Sequence, residues 1–385
     1  MSLTGENVKR WAELKRVAWI RVGALGDLLV GMAALVETHS LFPKAKLTIV
    51  GPKLWPEILS PREYPYVERI AVIERKGFHA KLFKPDGDGW KPDGEMPLKE
   101  VLGDCDGVVN LNIDSYRYGF TSLRAGCRVR VGSAASPMAW LYNYASPFFG
   151  KDPLVHERDA ALMVLEYATA GGVRFFRSTE RNRVNLSDWV ERSQMVRKWR
   201  GVGLPPGKKP DLQRARDLTH LDTGKYVLVN PTSSRREKAW PAEKFRELIL
   251  QSVKPLAGQD ISVLVLGAPH ETEWLREVAG SEVRIVQPPS VRDLQDVLSG
   301  SRGLLTNTSS VQFIAAMTGT PAVVLMGRGR PEIWGPLGPE DVVVRGAPDP
   351  SVEDIFLQEQ KAYEGIAVDA VRDAFLGLPN RRRVR

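Results

Sequence analysis

The fold is set by the stretch VAWIRVGALGDLLVGMAAL, residues 17–35. An apolar run enters a turn that carries Gly23 and Gly26, and a second apolar run of small residues leaves it. This order predicts a buried strand, a tight turn and a helix, which is the first building unit of a doubly wound α/β domain. The turn also carries one acidic residue, Asp27, at the start of the predicted helix.

The residues around Asp27 allow three interpretations. A carboxylate in the first turn of a helix is an ordinary cap that the helix dipole favours. The same carboxylate, projecting beyond a strand end, also suits a general base. A dinucleotide fingerprint is incomplete here, because the turn lacks the G-x-G-x-x-G spacing and no acidic residue follows the next strand at LTIVGPK, residues 47–53.

Length, charge and cysteine content narrow the class of protein. The chain has 385 residues, more than one hydrophobic core usually holds, and a net charge of +8. This charge suits an anionic partner, either a phosphate-bearing substrate or an anionic membrane surface; no nucleic-acid recognition motif is present. Cys105 and Cys127 form no CxxC pair and no zinc spacing, so no metal site is expected.

We find no signal peptide, and the best apolar run, 28–36, is too short to span a bilayer. The lack of a signal peptide and of a membrane-spanning run predicts a cytoplasmic protein, or one peripheral on the inner membrane.

Two series of short apolar segments run along the chain. Their members are rich in Val and Ile and are separated by helix-length spacers, as expected of buried parallel strands. The first series comprises residues 17–22, 47–50, 67–73, 107–111 and 129–131, and the second comprises 226–230, 261–266, 283–286, 303–306 and 322–326. The sequence therefore predicts two doubly wound parallel-sheet domains.

The predicted domain boundaries follow these two series. Residues 1–205 form an N-terminal Rossmann-like domain, and residues 206–224, rich in Pro, Gly and charge, form a linker. Residues 225–350 form a C-terminal Rossmann-like domain, and residues 351–385 form a helix and a basic tail. The irregular stretch 76–97 is expected to be a surface loop or lid. Because ligands bind beyond the carboxyl ends of parallel strands, two such domains predict a ligand cleft between them.

Two segments of the second domain carry hydroxyl groups just after predicted strands. The segment NPTSSRREKAWP, residues 230–241, offers Ser233, Ser234 and Lys238. The segment at the start of the next small-residue helix offers Thr308, Ser309 and Ser310. Hydroxyl groups, free backbone N–H groups and a lysine together suit a diphosphate. Taken singly, the first segment can be a loop with a solvated lysine, and the second is better explained by ordinary helix capping.

Five blocks in order along the chain resemble glycosyltransferase family 9, the ADP-heptose:lipopolysaccharide heptosyltransferases. The first carries an R-x-G-x-x-G-D pattern, the third a P-x-x-x-x-x-x-K-x-W-P pattern, and the fourth is similar to N-D-S/T-G-x-x-H-x-A. Each block is weak alone, but five in this order are specific. The blocks are RVGALGDLLVGMAAL (21–35), CDGVVNLNIDSYRYGFTSLRAGCRVRVG (105–132), NPTSSRREKAWPAEKFRELI (230–249), LTNTSSVQFIAAMTGTPAVVLMG (305–327) and WGPLG (334–338).

The resemblance implies an α/β fold of the GT-B type, with two Rossmann-like doubly wound parallel-sheet domains facing across a cleft. It also implies inverting, metal-independent transfer of a sugar, heptose from ADP-heptose, to a lipopolysaccharide-core or related envelope glycan. No cofactor is expected, since the nucleotide sugar is a substrate. The expected partners are the nucleotide sugar and a phosphorylated glycolipid acceptor, with peripheral contact to the anionic inner-membrane surface and no nucleic acid.

The resemblance also implies roles for single residues. Asp27 matches the base that takes the proton of the acceptor hydroxyl, and Gly23 and Gly26 match the acceptor-side turn. The residues that match the donor side are Ser233, Ser234, Lys238, Thr308, Ser309 and Ser310. Either Glu271 or Glu273 corresponds to the carboxylate that holds the ribose or base, with Glu273 taken as the candidate.

The fourth block departs from the family pattern. The Asp, Gly and His of that pattern fall on Thr308, Ser310 and Phe313. An apolar ring replaces the imidazole that contacts the phosphate in the family pattern. A residue with a side chain replaces the glycine that permits close backbone approach. Three function classes therefore stay open: an active glycosyltransferase, which the retained Asp27 and Lys238 favour, a noncatalytic nucleotide-sugar-binding protein on a degenerate GT-B scaffold, and, on Gly23 and Gly26 alone, a dehydrogenase.

Overall fold

Two separate parallel sheets organise the chain. The computed structural model describes residues 11, 13–74, 77–112, 116–133, 139–146, 155–169 and 190–378. The chain divides into two compact units, Met1–Arg200 and Gly201–Arg385. Within the described ranges, no helix combines the length and the apolar character needed to cross a bilayer. The basic tail expected after residue 378 lies outside the described residues.

The first unit is built on an eight-stranded sheet in the order β5-β4-β3-β2-β1-β6-β7-β8. Its strands are β1 (Arg16–Ile20), β2 (Lys46–Gly51), β3 (Val67–Ile73), β4 (His79–Asp86), β5 (Gly89–Pro97), β6 (Gly107–Asn110), β7 (Val129–Ser133) and β8 (Tyr144–Ser146). Its helices are α1 (Leu25–Leu41), α2 (Trp55–Ile58), α3 (Leu98–Gly103), α4 (Tyr116–Arg124), α5 (Glu157–Thr169) and α6 (Gln194–Trp199), with a 3₁₀ turn at Ala139–Leu141. The central strands are buried on both faces, as parallel strands between helices require.

The order of the parallel strands fixes where this unit can bind a ligand. Strands β3, β2, β1, β6, β7 and β8 are all parallel, so the chain winds outward from β1 in one direction and then returns to add β6 on its other side. The topological switch point therefore lies between β1 and β6. The loops that follow these two strands diverge there, and the turn with Asp27 is one of them.

The stretch 76–97 was wrongly expected to be an irregular loop or lid. Its described part forms the antiparallel hairpin β4–β5, which extends the sheet beyond β3. Gly87, in the connection of this hairpin, has a φ of +62°, which glycine adopts without strain. The many Gly, Pro and Lys residues hide the strand pattern, and they are the residues that proteins place on exposed sheet edges.

The second unit has a six-stranded, fully parallel sheet in the order β11-β10-β9-β12-β13-β14. Its strands are β9 (Tyr226–Asn230), β10 (Ser262–Leu266), β11 (Arg284–Val286), β12 (Leu304–Asn307), β13 (Ala322–Met326) and β14 (Val342–Arg345). Its helices are α7 (Leu212–Thr219), α8 (Ala242–Ala257), α9 (Thr272–Ala279), α10 (Val291–Gly300), α11 (Ser310–Thr318), α12 (Pro331–Trp334), α13 (Ile355–Glu364) and α14 (Val368–Leu376), with 3₁₀ turns at Arg236–Lys238 and Pro269–Glu271. The switch point here lies between β9 and β12.

Two segments outside the predicted second domain belong to this unit. Residues 206–224, expected to be a linker, contain α7, which packs against α10. Residues 351–385, expected to hold one helix, contain both α13 and α14. Tyr363 and Phe375 of these two helices are buried in the same core as Trp240 and Phe245. The C-terminal segment is therefore part of the second unit's packed interior.

Asn307 joins the two loops at the switch point of the second unit. Its side chain is fully buried at the end of β12. Its Nδ2 donates to the carbonyl oxygen of Pro231 at 2.7 Å, and its Oδ1 accepts from the backbone N–H of Trp240 at 3.0 Å. One amide thereby satisfies two backbone groups of the loop after β9, and both would otherwise be buried without a partner.

We expect Asn307→Ala to lower the free energy of unfolding by about 2–4 kcal/mol, because each of the two abandoned backbone groups costs about 1–3 kcal/mol. Urea denaturation of the full chain measures this loss. Gln259→Ala, which removes an exposed amide, is the matched control and should change stability by less than about 0.5 kcal/mol. Equal stability of the two variants would show that Asn307 does not hold the loops together.

Candidate functional site

Asp27 lies at the switch point of the first unit, in the first turn of α1. Its Oδ2 accepts a hydrogen bond from the backbone N–H of Ala24 at 2.8 Å, so the carboxylate does cap the helix. The side chain is half-buried, and no described residue bonds its second oxygen. Capping therefore occupies one oxygen and leaves the other available to a ligand.

The two glycines of the turn surround this carboxylate. Gly23 has a φ of +152°, and a Cβ there would lie 2.5 Å from Oδ2 of Asp27. Gly26 is the residue before Asp27 and is half-buried in the first helical turn. Only a residue without a side chain fits at position 23 while Asp27 keeps this orientation.

Arg21 holds the turn in place through hydrogen bonds to two backbone carbonyl oxygens. It is buried, its Nε donates to the carbonyl oxygen of Asp27 at 2.9 Å, and its Nη1 donates to the carbonyl oxygen of Leu111 at 2.6 Å. Leu111 directly follows β6, so the guanidinium joins the two loops of the switch point. Burial lowers the pKa of Arg21, while the charges of Asp27 and Glu157 act in the opposite direction. The sequence places Arg21 at the start of the R-x-G-x-x-G-D pattern but does not predict that its side chain joins these two loops.

Glu157 brings a second carboxylate into this electrostatic cluster. It is the first residue of α5 and is half-buried. Burial raises the pKa of Glu157, the negative charge of Asp27 raises it further, and the positive charge of Arg21 opposes both. No local sequence pattern identifies Glu157, because it lies far from Asp27 along the chain and outside the five blocks.

In the second unit, the loop after β9 carries Ser233, Ser234 and Lys238. Ser233 and Lys238 are half-buried, Ser234 is exposed, and Lys238 closes the 3₁₀ turn Arg236–Lys238. None of the three side chains is hydrogen-bonded to a described part of the protein. They therefore offer two hydroxyl groups and one ammonium group to a ligand.

The loop after β12 meets this loop at the same sheet edge, and its hydroxyl groups differ in availability. Thr308 Oγ1 donates to the carbonyl oxygen of Leu325 at 3.1 Å. Ser309 caps α11, since its Oγ accepts from the Val311 N–H at 3.3 Å, and it also lies 3.1 Å from Thr306 Oγ1. Ser310 is half-buried, and no hydrogen bond joins its hydroxyl to the described residues. Thr308 and Ser309 thus maintain the loop, whereas Ser310 is free to meet a ligand.

The structure separates Glu271 from Glu273, which the sequence left as alternatives. Glu271 Oε2 accepts from the Ala268 N–H at 2.7 Å and closes the turn after β10. Glu273 lies in the first turn of α9, is exposed, and forms no ion pair or hydrogen bond within the described residues. Glu273 is therefore the carboxylate that remains available.

Phe313 explains the departure from the N-D-S/T-G-x-x-H-x-A pattern. Its side chain is buried, and its ring packs on Trp334 with centroids 6.3 Å apart. Gln312 beside it donates from Nε2 to the Trp334 carbonyl oxygen at 2.8 Å. The beginning of α11 is thus packed against α12 by an aromatic contact and a hydrogen bond.

One face of α13 contacts all three loops at this edge, and sequence reasoning missed it. The ring of Phe356 lies 4.6 Å below the guanidinium carbon of Arg235, in the loop after β9. The Glu359 carboxylate accepts from the Arg328 N–H, after β13, at 3.1 Å. The Tyr363 hydroxyl donates to Thr308 Oγ1, after β12, at 3.4 Å. The spacing of these residues places them on a single helical face, a signal that would have identified them.

The positive charge of Lys238 also acts on the Glu359 carboxylate. Burial raises the pKa of Glu359, and the Arg328 N–H and the positive charges of Lys238 and Arg328 act against that effect. The described residues contain no group of three or more side chains arranged to hold a metal ion.

Solved structures with the same fold cover nearly the whole chain. A glycosyltransferase family 9 protein from Veillonella parvula has a TM-score of 0.68 at 17% identity, covering 95% of this chain and 97% of that one. E. coli ADP-heptose lps heptosyltransferase II gives 0.67 at 16% identity, with 95% and 98% covered. E. coli heptosyltransferase WaaC with ADP gives 0.62 at 18%, with 94% and 99% covered. Together with the two parallel sheets, these likenesses define the fold as GT-B.

The sequence comparisons then give the family. Residues 169–359 match the model of Glycosyltransferase family 9 (heptosyltransferase). The chain is 29% identical over 155 residues to Lipopolysaccharide heptosyltransferase 1 of Escherichia coli K12, which covers 39% of this chain and 46% of that protein. The match thus spans less than half the length of that curated relative. Residues 169–359 thus carry a glycosyltransferase family 9 region.

We expect Gly23→Ala to destabilise the turn more than another glycine substitution of the same unit. Gly94 also has a positive φ, +104°, but a Cβ there meets open space. Gly94→Ala should therefore cost about 1–3 kcal/mol for backbone strain alone. Gly23→Ala should cost about 1–3 kcal/mol more for crowding against Asp27. Urea denaturation of both variants measures the difference, and an equal loss would mean that Asp27 does not occupy this position.

Proposed function

We propose that this protein is an inverting, metal-independent glycosyltransferase that transfers a sugar, heptose from ADP-heptose, to a lipopolysaccharide-core or related envelope glycan. The observation that carries the proposal is the carboxylate of Asp27, which is held by one oxygen at the switch point of the first unit while its second oxygen stays unbonded among the described residues. A base needs this combination of fixed orientation and a free lone pair.

The reaction is a single displacement. Asp27 takes the proton of an acceptor hydroxyl as that oxygen forms a bond to the anomeric carbon of the donor. The bond between that carbon and the diphosphate oxygen breaks, and its electron pair leaves with the nucleoside diphosphate. Attack and departure on opposite sides of the carbon invert its configuration.

The second unit stabilises the departing diphosphate. Lys238 supplies a positive charge, and Ser233, Ser234 and Ser310 supply hydroxyl donors at the switch point between β9 and β12. Thr308 and Ser309 shape the same loop from within. Fixed donors and a lysine stabilise developing charge without a metal ion, so no cofactor is included in the proposal.

The similar proteins and the charge of the chain support the choice of donor and acceptor. One structurally similar protein is an E. coli heptosyltransferase solved with ADP-2-deoxy-2-fluoro heptose, which supports an ADP-linked donor here. Glu273, exposed after β10, is the proposed partner of the ribose or base. The net charge of +8 is compatible with a phosphorylated glycolipid acceptor at the cytoplasmic face of the inner membrane. Nucleic acid is not proposed, because the sequence has no nucleic-acid recognition motif.

A second candidate is a noncatalytic nucleotide-sugar-binding protein on a degenerate GT-B scaffold. The buried Phe313, packed on Trp334, favours it, because this apolar side chain stands where the family pattern has an imidazole. Both candidates bind a nucleotide sugar, and only the first turns it over.

We expect Asp27→Asn to lower kcat about 10²- to 10⁴-fold, the usual contribution of a positioned general base. The assay is release of ADP from ADP-heptose by the purified protein with a lipopolysaccharide-core acceptor. Asparagine keeps an oxygen acceptor for the Ala24 N–H, so the fold and ADP binding should stay unchanged. Full activity of this variant would contradict the base role, and absence of turnover in the wild-type protein with tight donor binding would favour the noncatalytic candidate.

We expect Lys238→Ala to weaken ADP binding about tenfold or more, because a charged hydrogen bond contributes about 1.5–3 kcal/mol. Isothermal titration calorimetry with ADP, UDP and GDP measures the loss and the nucleotide preference. Lys225→Ala is the control, since Lys225 lies at the opposite end of β9 in an exposed ion pair with Asp260. This control should leave the affinity within about twofold. An equal effect of both variants would remove Lys238 from the donor site.

A further inference from the structure

Helix α4 exposes a row of apolar side chains that no described part of the protein covers. Tyr116 is 61% exposed, Phe120 47% and Leu123 37%, and their spacing of four and three residues places them along one side of the helix. The opposite side, with Tyr118 and Ser122, is buried in the unit. We call the row Tyr116, Phe120 and Leu123 the α4 row. Three consecutive exposed apolar residues on one helix face mark an interaction surface.

Two more exposed aromatic rings adjoin the α4 row. Phe78 is 62% exposed, and the guanidinium carbon of Arg117 lies 4.3 Å from the centre of its ring. Trp140 is 51% exposed in the 3₁₀ turn that packs against α4. The apolar surface therefore extends from α4 to its neighbours on either side.

The charge of this region is mainly positive. Arg124 and Arg128 are exposed on and just after α4, and Arg117 lies beside Phe78. Arg128 pairs with Asp106 at 3.1 Å, whereas Arg124 forms no ion pair within the described residues. Residues 115–151 contain no Asp or Glu, although the chain has 46 acidic residues in 385. An excess of basic residues beside exposed aromatic rings suits a surface that contacts an anionic plane.

The α4 row begins close to the turn with Asp27. Asn112, four residues before Tyr116, accepts a hydrogen bond at Oδ1 from the Val22 N–H at 2.9 Å. Val22 lies in the loop that leads to Asp27. The chain therefore passes from the switch point directly into the helix that carries the apolar row.

We propose that the α4 row, with Phe78, Trp140 and the neighbouring arginines, docks the protein on an anionic phospholipid bilayer. Aromatic rings insert at the level of the headgroups, and arginines bind the lipid phosphates. Docking needs no sugar transfer; only its purpose, the delivery of a glycolipid acceptor to Asp27, rests on the proposed function.

The test is flotation of the full chain with vesicles of phosphatidylglycerol and phosphatidylethanolamine, compared with phosphatidylcholine vesicles. We expect binding to the anionic vesicles alone, and a loss of about tenfold in the partition coefficient for Phe120→Ser combined with Arg124→Gln. Leu250→Ser combined with Lys254→Gln is the matched control. Leu250 and Lys254 are exposed with the same four-residue spacing on α8, and this variant should bind as the wild type does.

Several results would overturn the proposal. They are failure of the wild-type protein to bind anionic vesicles, equal binding to phosphatidylcholine, or an equal loss in both double variants. Sedimentation in which only the α4 variant abolishes a dimer, without vesicle binding by the wild type, would instead assign the surface to self-association. Circular dichroism of both variants shows that each is folded. The assay reads lipid binding alone, so an inactive enzyme that still floats would contradict the proposed function and leave this proposal standing.

Discussion

In both units, two neighbouring parallel strands are followed by loops that leave the sheet in opposite directions. The rest of the structure depends on a buried polar side chain that joins these two loops. Arg21 does this between β1 and β6, and Asn307 does it between β9 and β12. Without such a partner, the backbone groups of these loops would be buried and unsatisfied, which costs more than a single hydrogen bond returns. The joined loops then present their remaining polar groups at a fixed place.

The two switch points carry opposite chemistry. The first presents the carboxylates of Asp27 and Glu157 around the buried guanidinium of Arg21. The second presents the ammonium group of Lys238 and several hydroxyl groups, and the Glu359 carboxylate of α13 bonds the Arg328 N–H at the same edge. A proton acceptor in one unit and an anion-binding group in the other are the two functions that a sugar transfer from a diphosphate requires. The division of labour proposed here follows from that pairing.

Most of the parallel strands were predictable from local sequence. The strands at 226–230 and 322–326 were confirmed residue for residue, because short Val-rich runs between helices have few alternatives. The hairpin β4–β5 was missed because an exposed sheet edge is built from the residues that also mark loops. The roles of Glu157 and Glu359 were missed for another reason: each depends on packing between elements distant in the chain, which no local pattern encodes. The roles assigned to Asp27 and Lys238 stay predictions.

Hydrogen–deuterium exchange of the full chain with and without ADP tests whether the nucleotide binds at the switch point of the second unit, since bound ligand slows exchange of the amides it contacts or orders. We expect slower exchange in residues 231–239 and 308–311, around the switch point of the second unit, and unchanged exchange in residues 22–27. Slower exchange confined to the turn with Asp27, or no slowing anywhere at saturating ADP, would contradict this expectation.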